Sequence, residues 1–416
     1  MLDLLQGVRI VELSTIVLGP MAGQALADLG AEVVKVEAPG GDIARAAAPH
    51  GPSGDGALFV NNNRNKRSVA LDLKNEGGRA VLGRLVERAD VFLHNMRPEA
   101  LARLGFDAAA CRQANPSLIH CAAVGFGSNG PHGGRPAYDD VIQAASGLAG
   151  LPLHLGGEPA YVASIMADKI AALHVVQAVT AALFRRERTG EGCTIEVPMF
   201  EAMAAFMLNE HLGAASFEED GEPGYTRLLT PHRRPFRTAD GWIGVLAYDE
   251  RQWRAVLAEI GRGDIAQEPW FASGRERSRR AGELYAVLGA AMPGRSTDAW
   301  LATFERLDVP HARVADLNDL IADPHLEAIG FFRPVPGPHG AVRSLAQPIR
   351  FEDCPERPDS PPPALGEHLR PVLAELGYAE AEIEALIAGG VAGAGNGLES
   401  VWKFRDVRFC GACCRP

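Results

Sequence analysis

The chain has 416 residues, 47% hydrophobic and 22% charged, with a net charge of −11. That length exceeds what one hydrophobic core usually serves, so two domains are expected, and an acidic chain with no long Lys/Arg run does not bind nucleic acid through its overall field. No basic-then-apolar leader precedes Val8 and no apolar run reaches the roughly 18–20 residues of a membrane span, so a cytoplasmic protein with no membrane partner is expected.

Residues 8–13 alternate and are β-branched, which predicts a strand. Gly19-Pro20 breaks the chain, 21–29 reads as a helix, and Gly30 suits its C-cap. Residues 32–37 form a second strand, stopped by Pro39-Gly40-Gly41. This βαβ unit implies a parallel sheet with right-handed crossovers. A strand at 68–73, a helix at 77–88, a strand at 91–94 and a helix at 98–104 continue the alternation. A strand at 118–124 feeds the glycine-rich loop 125–134. Helices are predicted at 138–149 and 167–188, the second apolar but interrupted by His174, Gln177 and Thr180. A strand at 194–197 and a helix from Phe200 follow. The fold class is α/β, an open parallel sheet of Rossmann-like, doubly wound type.

The character changes near residue 217. Residues 217–225 are acidic and turn-rich, 237–245 reads as a hairpin around Asp240-Gly241, and helices follow near 251–260, 277–291 and 297–307. A last amphipathic helix lies at about 367–376. The expected domains are 1–216 for the first part of a large domain, 226–325 for a small α+β domain, and 326–390 for a return to the large one. Residues 391–416 read as a flexible tail, whose Cys410, Cys413 and Cys414 offer too few ligands for zinc. Cys111, Cys121, Cys193 and Cys354 sit among apolar neighbours and read as reduced thiols. No metal site is expected.

Several stretches carry chemistry. The first loop, residues 13–20, has one glycine where a dinucleotide fold needs Gly-x-Gly-x-x-Gly, which argues against a nicotinamide cofactor. Arg64, Lys66 and Arg67, among Asn61, Asn62, Asn63 and Asn65, suit either phosphates or a solvated loop. Asn95, Met96 and Arg97 follow a strand's C-terminal end, where open α/β sheets bind ligands, and the helix start at Pro98 adds partial positive charge. Arg97 can make a bidentate phosphate contact, with Arg103 further along that helix. The loop 125–134 lets backbone approach a ligand, though Phe126 denies Ser128 a Gly-x-Ser-x-Gly elbow. Asp168 stands at the mouth of the long apolar helix, where the dipole keeps a carboxylate ionised. By position alone it reads more readily as an N-cap.

These stretches together carry a resemblance. Gly7-Val-Arg-Ile-Val-Glu-Leu, Gly19-Pro20, Leu29-Gly-Ala-Glu-Val-Val-Lys-Val-Glu, Asn65-Lys-Arg-Ser68, Gly125-Phe-Gly, Ala137-Tyr-Asp-Asp, Met166-Ala-Asp168, Arg188-Thr-Gly190-Glu-Gly and Thr238-Ala-Asp-Gly-Trp occur in the order and spacing of the family III CoA-transferases, which the chain resembles over about residues 5–386. The resemblance implies that Asp168 is a nucleophile forming a mixed anhydride and then an aspartyl-CoA thioester. It implies coenzyme A contacts at Leu71, Asp72, Leu73 and Lys74, at Asn95, Met96, Arg97 and Arg103, and at Pro136, Ala137, Tyr138 and Asp139. Acyl-CoA is then a substrate, with no permanently bound cofactor, and a free carboxylic acid is the acceptor. The family fold is a large domain with a small one inserted, in an interlocked homodimer. Val17 and Ala38 stand where formyl-CoA transferases carry glutamine and arginine, and a run of four glycines is missing, so formate and oxalate are not the expected substrates. Arg227, His232, Arg233 and Arg234 suggest a dicarboxylic acid, with succinyl-CoA a candidate donor. The glycine loop is a candidate oxyanion donor.

Three other readings stay open. A racemase of α-methylacyl-CoA type resembles the chain widely but needs a histidine where Tyr138 and Asp139 stand. A non-catalytic coenzyme A-binding protein would use Asp168 only as a cap. A shift of coenzyme A within one diacid needs the same aspartate but no separate acceptor.

Overall fold

The structure, a computed structural model, describes residues 1–393; of the tail expected at 391–416, the cysteine-bearing part lies outside the described residues, while Val391 and Ala392 are instead buried, Val391 accepting the Asp72 N–H at 2.9 Å and Ala392 bridging Leu71. Six strands form one parallel sheet: β1 Arg9–Leu13, β2 Glu32–Glu37, β3 Lys66–Ala70, β4 Val91–His94, β5 Ile119–Val124 and β6 Cys193–Pro198. Their order is β3-β2-β1-β4-β5-β6. Chain direction across the sheet reverses between β1 and β4, so the loops leaving these neighbours part and open a crevice at their C-terminal ends. Register places Glu12 opposite Lys35 and Leu13 opposite His94. Ile10, Val11, Val33, Val36, Phe92 and Leu93 are buried, as expected of inner parallel strands covered on both faces.

Two contact-defined units divide the chain. The first comprises Met1–Tyr138, Met166–Ala202 and the stretch from Phe331 on; the second comprises Asp139–Ile165 and Met203–Gly330. In the first unit, helix Glu76–Glu87 is capped by Asn75, whose side chain accepts the Gly77 N–H at 2.9 Å. Its Val81, Leu82, Leu85 and Val86 pack with Leu369, Val372 and Leu373 of a C-terminal helix. Each such fully buried aliphatic side chain stabilises the fold by about 1.5–3 kcal/mol. The second unit has its own core around Trp253, Phe271, Tyr285, Trp300 and Phe304. Its three-stranded antiparallel sheet contains the expected hairpin, pairing Arg237 with Trp242, and a short third strand, His311–Arg313, that three residues of sequence did not signal.

Some boundaries moved for physical reasons. The first helix spans Leu18–Asp28 and so contains Gly19 and Pro20 rather than starting after them. Proline is tolerated there because first-turn N–H groups have no intrahelical acceptor. The stretch expected as one helix over 138–149 is Asp139–Ala145, ended by left-handed Gly147, with a 3-10 segment after it. Helices Ala108–Ala114 and Glu380–Ala388 were not expected; each buries one side chain, Cys111 or Ile383, so neither shows a strong apolar stripe. The expectation that no stretch could span a membrane is corrected: helix Met166–Thr189 is long and apolar enough by length and composition. Its interruptions are polar but uncharged. One face, with Ala167, Ala171, Ala172, Val175 and Val179, is buried against the protein, and the helix packs on Leu18–Asp28.

Candidate active site

The crevice is built on the loop leaving β1. Thr15 N–H donates to Asn95 Oδ1 at 3.1 Å, and Asn95 Nδ2 donates to the Thr15 carbonyl at 3.0 Å. This reciprocal pair ties β1 to β4 across the point where the sheet reverses. The next residue, Ile16, has φ +73°, a conformation that costs a β-branched residue about 1–3 kcal/mol unless its surroundings enforce it. Asp42 does so by accepting the Ile16 N–H at 3.1 Å.

Asp42 belongs to a buried ion cluster under the loop. Lys35 Nζ lies 3.1 Å from Glu12 and 3.0 Å from Asp42, and donates to the Ser14 carbonyl at 2.8 Å. Lys66 Nζ lies 2.8 Å from Glu12. Gly23 leaves the space, since a Cβ there would meet the Glu12 carboxylate at 2.0 Å. Burial pushes Glu12 upward, but Lys66 and Lys35 outweigh it and hold the carboxyl below its ordinary value. Burial pulls Lys66 down to about 8 against the attraction of Glu12. Breaking a buried pair leaves an uncompensated charge, so the cluster over-determines the loop above it. The expectation that Arg64, Lys66 and Arg67 hold phosphates or lie in a solvated loop is corrected, because each is taken up by a carboxylate: Lys66 by Glu12, Arg64 by Asp28 and Arg67 by Glu375. Glu12, Lys35 and Asp42 were not expected here; the signal was a glutamate and a lysine inside otherwise apolar strands, which pair when buried.

Above the loop lies a chamber of about 210 Å³. Asp168 lines it from the first turn of helix Met166–Thr189, beside the partial positive charge of the helix N-terminus. It is thus a residue within the helix, not the residue before it. Asn95, Met96 and Arg97 line the opposite side, with Arg97 at the N-cap of helix Pro98–Leu104. The glycine loop closes the rest with Arg135, Pro136, Ala137 and Tyr138. Its ends touch, and a Cβ on Gly125 would meet that of Ala137 at 2.4 Å. The expectation that this loop's backbone supplies oxyanion donors meets a counter-claim: Gly127 N–H donates to Glu201 at 3.0 Å and Ser128 N–H to Glu196 at 2.7 Å.

A second cavity of about 650 Å³ shares Thr15, Asn95 and Met96 with the chamber walls. Leu71, Asp72, Leu73, Lys74 and Arg103 line it. The sequence-expected residues therefore gather along two adjoining hollows of one unit, with cations in both. Asp139 does not join them. It is buried at the start of its helix, where Gln143 Nε2 donates to its carboxylate at 2.6 Å, and it lines neither hollow. Arg227, in the second unit, donates to the Tyr285 hydroxyl at 3.3 Å and covers the Tyr248 ring. Among the described residues no group of acidic, histidine or cysteine side chains is placed to hold a metal, and no histidine lines the chamber.

Comparison with known proteins agrees with this geometry. Residues 5–369 match the profile described as CoA-transferase family III. A succinate–glutarate CoA-transferase of Agrobacterium fabrum is 33% identical over 385 residues, covering 89% of this chain and 95% of the relative. A probable fatty acyl-CoA transferase of Mycobacterium tuberculosis is 33% identical over 378 residues, covering 88% and 96%. The crystal structure of a CAIB/BAIF family protein from Brucella suis superposes with a TM-score of 0.76 at 32% identity, covering 90% of this chain and all of that one.

Proposed function

Because this chain belongs to CoA-transferase family III, and is an enzyme that moves coenzyme A from an acyl-CoA to a carboxylic acid, we propose that it does so through Asp168. The Asp168 carboxylate attacks the donor thioester carbonyl, giving a mixed anhydride and the thiolate of coenzyme A. The thiolate attacks the Asp168 carbonyl, leaving an aspartyl-CoA thioester and releasing the donor acid. The acceptor carboxylate attacks that thioester, and the thiolate then takes the new acyl group, restoring Asp168. Every step exchanges one activated acyl group for another, so neither an external energy source nor a net proton is required.

The observation that carries this reading is the junction of the two hollows. Lys74 and Arg103 line the larger, where they suit the phosphates of coenzyme A. Asn95 and Met96 line both, so the pantetheine arm passes them to bring its sulfur to Asp168. In this reading the bound substrates displace water from the small chamber, which protects the anhydride. A dicarboxylic acid as acceptor follows the name of the Agrobacterium relative, and succinyl-CoA as donor that of a succinyl-CoA:glutarate CoA-transferase of Mus musculus, 29% identical over 392 residues. In this reading the second unit is an inserted small domain, and two chains interlock as a homodimer.

Trapping tests it. The protein is incubated with a panel of acyl-CoAs, quenched with hydroxylamine or borohydride, and weighed intact. A hydroxamate or alcohol at Asp168, formed by an acyl-CoA and erased by free acid, is expected. Asp168→Asn should form none and lose turnover by on the order of 10⁴-fold or more. An Asp168→Asn variant that still turns over defeats the aspartyl route.

A further inference from the structure

Resting on that reading, we propose that Arg135 recognises the remote carboxylate of a short dicarboxylic acid, and so selects diacids over monoacids as coenzyme A acceptors. The charged side chains lining the chamber are Arg97, Arg135 and Asp168. Among the described residues neither guanidinium has a hydrogen-bond or ion-pair partner. Once Asp168 carries coenzyme A as a thioester its charge is gone. The chamber then holds two cations and no lining anion. A monocarboxylate neutralises one of them; a dicarboxylate neutralises both.

Arg135 suits the remote group better than Arg97 does. Arg97 adjoins Asn95 and Met96, which line both hollows and so flank the route of coenzyme A. Arg135 sits on the glycine loop, whose residues line only the chamber. That loop is held firmly. Arg135 N–H donates to the His132 carbonyl at 3.1 Å, and the His132 ring packs at 5.4 Å from Phe126 and 6.3 Å from Phe200. A guanidinium on a fixed backbone offers a planar, bidentate contact with a carboxylate. The chamber's volume, about 210 Å³, lies below the roughly 300–1,000 Å³ typical of pockets for drug-sized ligands, which suits a short chain. The chemistry is that of the four-step exchange above, with the spare carboxylate unreacted throughout.

The test is a competition. Succinyl-CoA is the donor, and glutarate and pentanoate, of equal carbon count, compete for the same aspartyl intermediate. The ratio of their kcat/KM values cancels every earlier step, including any effect on the donor. The native enzyme should prefer glutarate by more than tenfold. Arg135→Gln should shrink that preference about 10- to 100-fold, the usual weight of a charge-assisted contact. Arg135→Lys should retain part of it, and it decides the matter if the glutamine variant does not fold. Arg97→Gln should leave the ratio intact while raising KM for succinyl-CoA. A native enzyme without preference, an unchanged ratio in Arg135→Gln, or a ratio that collapses only in Arg97→Gln would each overturn the proposal. Failure of the underlying transferase reading looks different: no coenzyme A reaches either acid, and no adduct is trapped at Asp168.

Discussion

His94 and His120 stand with ring centroids 4.9 Å apart, on adjacent strands β4 and β5. Burial, aided by His120, pushes His94 down from 6.5 to about 3, so the folded protein keeps it neutral. In the unfolded chain it titrates normally. Below 6.5 the unfolded state therefore binds a proton that the folded state refuses, and stability falls as pH drops from 6.5 toward 3. Above 6.5 this contribution is fully present. Urea unfolding across this range should show a slope approaching about 1.4 kcal/mol per pH unit for each such histidine, and His94→Gln should flatten it by one histidine's share. An unchanged slope in the variant would place the acid sensitivity elsewhere. Nothing in the sequence marked this histidine, because its neutrality comes from the apolar neighbours that the sheet supplies, Phe92 above all.

Helix Met166–Thr189 shows what one element does on two faces. Its small residues bury against the first unit, while Leu173 is 59% exposed and Phe184 66% exposed. Large exposed apolar side chains on a long helix fit the proposed homodimer, in which a second chain covers them. Leu173→Glu with Phe184→Glu should yield a monomer by sedimentation, with transfer activity falling alongside. Because both are exposed within the chain, the fold itself should change by no more than about 0.5 kcal/mol per site. A variant that remains dimeric would remove this helix from the interface. The helix was legible from its apolar run, and so was Asp168 near its start. Which face meets the protein was not, since alanines and valines are spread around it without a clean stripe.

Across the whole molecule, a net charge of −11 coexists with cations gathered at two hollows. An acidic protein repels a polyanion at long range, so binding of coenzyme A depends on those local cations. Lys74→Ala and Arg103→Ala should each raise KM for acyl-CoA about tenfold with kcat nearly kept, as expected when a binding contact common to ground and transition states is removed. A fall in kcat with KM unchanged would count against the phosphate assignment. The alternation of strands and helices, the aspartate at the long helix and the basic strand end at Asn95–Arg97 were determined by the sequence alone, because hydrophobic period, turn residues and local motifs are short-range properties. Only the tertiary structure decided that Asn95 meets Thr15, that Glu12, Lys35, Asp42 and Lys66 form one buried cluster, and that Asp139 stands apart from Tyr138 beside it. Those facts depend on strand order and on which side chains lose water together, and no stretch of chain carries either by itself.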